Sequence, residues 1–240
     1  QHRAGICPLF FFVRSGEPIA ASLRIIAFSP PVEVFMIVLH HLNKSRSQRI
    51  IWLLEELGLP YELKAYQRDA TTFLAPPELK AIHPLGKSPV IEFDGRVLAE
   101  SGAITEYLIA RHAAERLAPA PDSPDYPEYL QWIHFAESSG ILPLLLDMFV
   151  RKDGSPMRFL PDYAKAECAK VLGYLNEVLA SRRYLVGDRL SGADIMNSFL
   201  VDLLAQGGQL ARFPHLEAYW QRLNTYPARQ KAAALERELD

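Results

Sequence analysis

The stretch GKSPVIEFDGRVLAESGAI, residues 86–104, contains the pattern that decides the fold. Two short apolar segments, residues 90–93 and 96–99, flank an Asp-Gly pair, which is a strong signal for a tight hairpin turn. A helix is predicted to follow, over about residues 101–114. The stretch therefore predicts a strand, a turn, a second strand and a helix, in that order.

Two positions in this stretch need an explanation beyond secondary structure. Pro89 stands at the entrance of the first strand and removes a hydrogen-bond donor, which an edge strand tolerates at its first residue. Glu100 and Ser101 place an acid beside a hydroxyl where the second strand gives way to the helix. Ser101 occupies the position expected of the helix N-cap, but N–H groups at a helix N-terminus also bind carboxylates. The pair is thus suited to an α-amino acid, with Ser101 on its carboxylate and Glu100 on its amine.

The segment before this stretch predicts a βαβ unit. An apolar run at residues 36–42 and an alternating run at residues 61–66 predict two strands. Between them, residues 46–57 repeat apolar side chains at helical spacing and end before Gly58, a helix stop. This crossover favours parallel strands with a right-handed connection. Residues 69–87 are predicted as a loop with one short helical turn.

The remainder of the chain predicts a second, all-helical domain. Residues 117–127 contain four prolines and are interpreted as a linker. Helices are predicted at residues 128–149, 162–179, 193–205 and 216–226, followed by a charged terminal helix. The predicted fold class is an α/β thioredoxin-like domain (βαβ-ββα, residues 36–116) followed by an all-α domain (residues 128–240). Residues 1–35 are interpreted as an extension of uncertain origin, because Met36 opens the first strand pattern.

The composition is that of a soluble globular protein. Of the 240 residues, 49% are hydrophobic and 22% are charged, and the formal net charge is -2. This balance gives no reason to expect nucleic acid or an acidic membrane surface as a partner, and no apolar run is long enough to predict a transmembrane segment. Cys7 and Cys168 form no CxxC pair, and neither they nor the histidines have metal-ligand spacing, so no metal site is predicted.

Several motifs resemble those of one enzyme family. The segments HPLGKSPV (residues 83–90), LAESGAI (98–104) and LVGDRLSGADI (185–195) are similar to three motifs of the glutathione S-transferases. Residues 68–86 are particularly similar to a fungal and bacterial subgroup. The resemblance implies a thioredoxin-like domain followed by a helical domain, as the periodicity predicts. It also implies glutathione as co-substrate with no metal or organic cofactor, a role in detoxification, a cytoplasmic location and a homodimer.

The resemblance assigns roles to the residues of the opening stretch. The Ser88-Pro89 bond is expected to be cis, with the backbone of Ser88 contacting the cysteinyl part of glutathione. Glu100 and Ser101 are expected to bind its γ-glutamyl end, and Lys87 is expected near its glycyl carboxylate.

The catalytic group is expected in the loop NKSRSQR, residues 43–49. A glutathione thiolate needs a hydrogen-bond donor, because the thiol is largely protonated at neutral pH. Ser45 matches the catalytic serine of the serine-type classes, with Ser47 as the alternative hydroxyl and Asn43 as a further donor. The loop contains no tyrosine or cysteine, which argues against the tyrosine-type and cysteine-type classes.

Two other groups of residues are weighed against simple structural roles. Ser191 and Asp194 resemble a catalytic pair, but their spacing is that of a capping box, with Leu190 and Ile195 placed as a hydrophobic staple. The pocket for the electrophile is expected between the domains. The first long helix offers candidates that would equally well build the core: Tyr129, Trp132, Ile133, Phe135 and Ala136.

The sequence thus predicts a glutathione S-transferase that joins the glutathione thiolate to small hydrophobic electrophiles. Two alternatives stay open. The first is a glutathione-dependent peroxidase or disulfide-bond reductase on the same scaffold. The second is a non-enzymatic protein that uses the fold for ligand binding or interaction.

Overall fold

The computed structural model describes residues 36–239. The predicted extension at residues 1–35 lies outside the described residues. Among the described residues, no helix is both long enough and apolar enough to cross a membrane.

A four-stranded mixed sheet forms the first domain, in the order β2-β1-β3-β4. Strands β1 (Ile37–Leu42) and β2 (Tyr61–Tyr66) are parallel, whereas β3 (Val90–Phe93) is antiparallel to both β1 and β4 (Arg96–Ala99). The predicted βαβ unit and hairpin are therefore confirmed. The explanation of Pro89 by an edge strand is wrong, because β3 is interior and the proline lies just before it.

Three helices accompany this sheet: α1 (Ser47–Leu57), α2 (Glu78–Ile82) and α3 (Ser101–His112). Helix α1 buries its apolar stripe and ends at Gly58, whose φ of 66° confirms the predicted stop. Helix α3 is followed by the short helix α4 (Ala114–Leu117).

The second domain is helical throughout. Its helices are α5 (Tyr126–Phe135), α6 (Ile141–Asp153), α7 (Leu160–Val178), α8 (Gly192–Gln206), α9 (Pro214–Leu223) and α10 (Pro227–Leu239). Helix α5 begins inside the predicted linker, because Pro127 fits the first turn of a helix, where its missing N–H costs nothing. Helices α8 and α10 pack against α1 of the first domain, so the two domains share one core.

The predicted helix at residues 128–149 is wrong in one respect, since it is two helices separated by residues 136–140. Pro143 cannot donate the hydrogen bond that a continuous helix needs, but it is tolerated in the first turn of α6. Gly140 makes the change of direction possible, because a Cβ there would lie 2.7 Å from Leu200 and 2.9 Å from the Phe135 carbonyl oxygen. The break places Glu137 in a turn instead of on a helix.

The predicted capping box at the start of α8 is confirmed. The Asp194 carboxylate accepts hydrogen bonds from the N–H and hydroxyl of Ser191, both at 2.9 Å. Its other oxygen accepts the Leu185 N–H and the Tyr219 hydroxyl, also at 2.9 Å. Burial raises the pKa of Asp194, and these four donors oppose that shift. The motif therefore ties the loop before α8 to α9, and it is structural.

We expect Asp194→Ala to lower the free energy of unfolding by about 3 kcal/mol or more, because it leaves several buried donors without a partner. Chemical denaturation of the full chain measures this. The matched control is Asp188→Ala in the same loop, where the side chain is exposed; it should change stability by less than about 0.5 kcal/mol. Equal stabilities of the two variants would contradict a structural role for the motif.

Candidate functional site

Five of the six predicted site residues line one cleft of about 160 Å³. The cleft is formed by the loop before β3, the start of α3, the loop before α1 and the turn between α5 and α6. Its lining residues are Arg46, His83, Leu85, Lys87, Ser88, Pro89, Ala99, Glu100, Ser101 and Glu137. The cleft therefore joins the thioredoxin-like domain to the helical domain.

The floor of the cleft includes Ser88 and Pro89, and the bond between them is cis, as the resemblance implied. The Ser88 side chain also has a structural role that the sequence did not reveal. Its hydroxyl donates to the His40 carbonyl oxygen at 2.8 Å and accepts the Leu42 N–H at 3.1 Å. It thus continues the hydrogen bonding between β1 and β3 where the strand ladder stops, and this fixes the loop at the edge of the cleft.

Glu100 has the most unusual backbone conformation in the cleft. Its φ is 71°, a region that non-glycine residues rarely adopt, and its carbonyl oxygen accepts the first α3 hydrogen bond, from Ile104 at 2.9 Å. The N-cap of α3 is therefore Glu100, and the expectation that Ser101 is the N-cap is wrong by one residue. Within residues 36–239 the exposed Glu100 carboxylate has no hydrogen-bond or ion-pair partner. It belongs to the residue that directly precedes the first-turn N–H groups of α3, which have no acceptor within the helix itself.

The cleft carries charges of both signs. Lys87 is exposed at one side, and Arg46 supplies a second cation. Arg46 Nε lies 2.7 Å from the Glu137 carboxylate, which also pairs with the buried Arg49. Sequence reasoning missed Arg46, His83 and Glu137 as lining residues. Arg46 lies next to Ser45 in the sequence, but no local signal pointed to Glu137, because it reaches the cleft only through the break between α5 and α6.

Ser45 directly precedes the lining residue Arg46, but it is not itself one of the residues that line this cleft in the described chain. Its side chain is 6% exposed, whereas Ser47 is fully buried. The Ser45 hydroxyl accepts the Ser47 N–H at 3.2 Å and lies 2.7 Å from the Ser47 hydroxyl. Asn43 Oδ1 accepts the N–H of Arg68 at 2.8 Å, which fixes that side chain against the loop after β2. Of the two serines, only Ser45 retains a small exposed fraction.

The structure offers no reactive protein thiol near the cleft within the described residues. Cys168 is free and lies on α7. Burial raises the pKa of its thiol to about 11, which is the opposite of what a nucleophilic cysteine needs. The described residues also contain no group of three or more potential ligands able to hold a metal ion. His40 is instead held by Glu92 at 2.7 Å and Tyr66 at 2.9 Å.

Comparisons with known proteins agree with this arrangement. The profile described as the glutathione S-transferase N-terminal domain matches residues 45–111, and the C-terminal domain profile matches residues 143–227. Glutathione S-transferase 3 of Schizosaccharomyces pombe is 35% identical over 75% of this chain and 78% of its own length. The chain belongs to the glutathione S-transferase family.

A solved structure and a further relative extend the comparison. A glutathione S-transferase from Actinobacillus pleuropneumoniae is 36% identical, with a TM-score of 0.76 over 84% of this chain and 93% of that one. Elongation factor 1-gamma of Prunus avium is 31% identical over 79% of this chain, but the match covers only 45% of that protein. The sequence similarity therefore extends to a protein that is named as an elongation factor and not as a glutathione S-transferase.

The residues expected to line an electrophile pocket separate into two groups. Trp132, Ile133 and Ala136 are at most 1% exposed and belong to the core. Phe135 lines a cavity of about 430 Å³ between α5, α6 and α7, and Tyr129 lines a different one beside α3. The Phe135 cavity lies within the helical domain.

Proposed function

We propose that this chain binds glutathione in the described cleft and transfers its thiolate to small hydrophobic electrophiles. The observation that carries the proposal is the Glu100 carboxylate, which is exposed beside the start of α3 and has no partner among residues 36–239. A carboxylate next to helix N–H groups matches both charges of an α-amino acid, since it binds the amine while the N–H groups bind the carboxylate. The γ-glutamyl end of glutathione carries this pair of charges.

The other lining residues support the same ligand. Lys87 and Arg46 are cations on the remaining walls, and reduced glutathione carries a second carboxylate at its glycyl end. The backbone of Ser88 also lines the cleft and is suited to the peptide groups in the middle of the ligand. The cleft thus carries charges that complement both ends of glutathione.

Ser45 is proposed as the donor that stabilises the thiolate. A hydroxyl that donates to sulfur near the start of α1 favours the ionised form, so a larger fraction of bound glutathione is reactive at neutral pH. Holding the thiolate beside the electrophile lowers the barrier further by orientation. No protein thiol is needed for this chemistry. We further propose that the protein acts as a homodimer in the cytoplasm, which size-exclusion chromatography with light scattering and localisation imaging would check.

Two alternatives differ in the acceptor. A peroxidase or disulfide reductase would turn over hydroperoxides or disulfides but not aryl halides. A non-enzymatic role is favoured by one observation, the similarity to elongation factor 1-gamma. Glutathione binding without turnover of any acceptor would select that alternative.

We expect Glu100→Ala to weaken glutathione binding roughly tenfold or more, because a charge-assisted hydrogen bond contributes about 1.5–3 kcal/mol. Isothermal titration calorimetry measures the dissociation constant. Glu62→Ala is the matched control, since Glu62 is an exposed glutamate on β2, at the opposite edge of the sheet. If both variants bind glutathione as tightly as the wild type, the γ-glutamyl assignment is wrong.

We expect Ser45→Ala to reduce turnover of an aryl halide and the ultraviolet thiolate absorbance of bound glutathione by roughly 10- to 100-fold. Affinity for glutathione should change much less, because the thiol adds little to binding of the protonated form. Ser181→Ala, at an exposed serine between α7 and α8, serves as the control. Unchanged absorbance and turnover in Ser45→Ala would remove Ser45 from the mechanism.

A further inference from the structure

A chain of buried polar groups leads from Ser45 to the C-terminal helix. Ser45 Oγ lies 2.7 Å from Ser47 Oγ, which in turn lies 2.8 Å from Nδ1 of His41. On the other side of the ring, His41 Nε2 lies 3.0 Å from Oε2 of Glu236 on α10. His41 and Ser47 are fully buried, and Ser45 and Glu236 are at most 8% exposed. Four polar side chains from β1, the following loop, α1 and α10 are thus linked away from solvent.

The Glu236 carboxylate is held in place independently of the histidine. Its Oε1 accepts the Lys44 N–H at 2.9 Å, in the loop that also contains Ser45. Burial by itself would raise the pKa of Glu236, but His41 and the Lys44 N–H together hold it below its usual value. His41 Nε2 and Glu236 Oε2 lie 3.0 Å apart but are not aligned as a directed hydrogen bond.

The positions of the hydrogens among these four side chains determine whether the Ser45 hydroxyl can donate to sulfur. Each serine hydroxyl has one hydrogen to donate and two lone pairs that accept. When His41 Nδ1 carries a proton, it donates to Ser47, and the Ser47 hydrogen is free to donate to Ser45. Ser45 Oγ then accepts two hydrogens, from the hydroxyl and the N–H of Ser47. Its own hydrogen must point to a third group, which in the proposed function is the thiolate.

When the hydrogens are arranged in the opposite order, Ser45 can no longer donate a hydrogen bond to sulfur. When Nδ1 carries no proton, it accepts the Ser47 hydrogen, and the Ser47 oxygen accepts the hydrogen of Ser45. The Ser45 hydroxyl then has no hydrogen left for sulfur. The Leu42 carbonyl oxygen is a competing acceptor for Ser47, but it is farther away, at 3.3 Å, than Ser45 Oγ at 2.7 Å. In the active order both ring nitrogens of His41 carry a hydrogen, with Nδ1 facing Ser47 at 2.8 Å and Nε2 facing Glu236 at 3.0 Å.

We propose that Glu236, His41 and Ser47 are positioning residues that turn the Ser45 hydroxyl outward, so that it donates to the thiolate of bound glutathione. This inference rests on the proposed function of Ser45. It adds a contribution of the C-terminal helix to the chemistry of the N-terminal domain, because Glu236 reaches the catalytic loop only through the packing of α10 on α1. None of the three residues lines the glutathione cleft in the described chain.

The main test is Glu236→Gln in the full chain, which removes the charge but keeps an oxygen for the Lys44 N–H. We expect turnover and the thiolate absorbance of bound glutathione to fall roughly three- to tenfold, since a hydrogen bond contributes about 0.5–1.5 kcal/mol. The dissociation constant for glutathione should stay within about twofold of wild type, a separation that a general loss of structure would not produce. The matched control is Glu238→Gln, an exposed glutamate on the same helix.

Substitutions at two further positions, His41 and Ser47, test the other hydrogen bonds among these buried polar groups. His41→Leu removes the donor to Ser47, whereas His41→Asn restores an N–H near the position of Nδ1, so partial recovery of thiolate absorbance in the asparagine variant supports the proposal. Ser47→Ala removes the inward acceptor of the Ser45 hydrogen without changing charge. The double variant Ser47→Ala/Glu236→Gln should therefore regain most of the thiolate absorbance that Glu236→Gln loses. If Glu236→Gln did not fold, the pair of His41 variants would decide the matter alone.

The double variant Ser45→Ala/Glu236→Gln separates this inference from the proposed function. If Glu236 acts through Ser45, the double variant should match Ser45→Ala alone. Additive losses, or wild-type thiolate absorbance in Glu236→Gln while Ser45→Ala is impaired, would overturn the positioning role and leave Ser45 in the mechanism. A Ser45→Ala variant with wild-type absorbance would overturn both.

Discussion

The rest of the site depends on the contacts that the Arg49 guanidinium makes with α8 and with Glu137. Arg49 is 2% exposed on α1 of the first domain, and its Nη1 donates to the Met196 carbonyl oxygen of α8 at 2.7 Å. Its Nη2 pairs with Glu137, which also pairs with Arg46 in the cleft. Burial lowers the pKa of Arg49 to about 10, while Glu137 opposes that shift. Because a buried charge is costly unless it is paired, Glu137 must stay in the turn that completes the cleft.

The cleft is built from loops that depart from ordinary backbone geometry. The bond before Pro89 is cis, and Lys44 and Glu100 have φ values of 52° and 71°. Non-glycine residues with positive φ persist where the surrounding structure holds them and are concentrated at functional sites. Here Lys44 lies in the loop of Ser45, and Glu100 lines the cleft.

The sequence was sufficient for features that depend on neighbouring residues. The hairpin around Asp94-Gly95, the helix stop at Gly58 and the capping box of Ser191 and Asp194 follow from local rules. The break at residues 136–140 follows from a local rule as well, because Pro143 cannot sit in the interior of a continuous helix. Glu137 in the cleft and Glu236 behind Ser45 could not be read locally. Glu236 meets Lys44 across 192 positions of the chain, and only the packing of α10 on α1 brings them together.

A crystal structure of the full chain with reduced glutathione tests the central claim most directly. The account predicts the γ-glutamyl carboxylate within about 2.7–3.2 Å of the Ser101 N–H, its amine against the Glu100 carboxylate, and the sulfur within reach of Ser45 Oγ. Glutathione bound in another cavity, or bound in this cleft with its γ-glutamyl end away from Glu100, would contradict it.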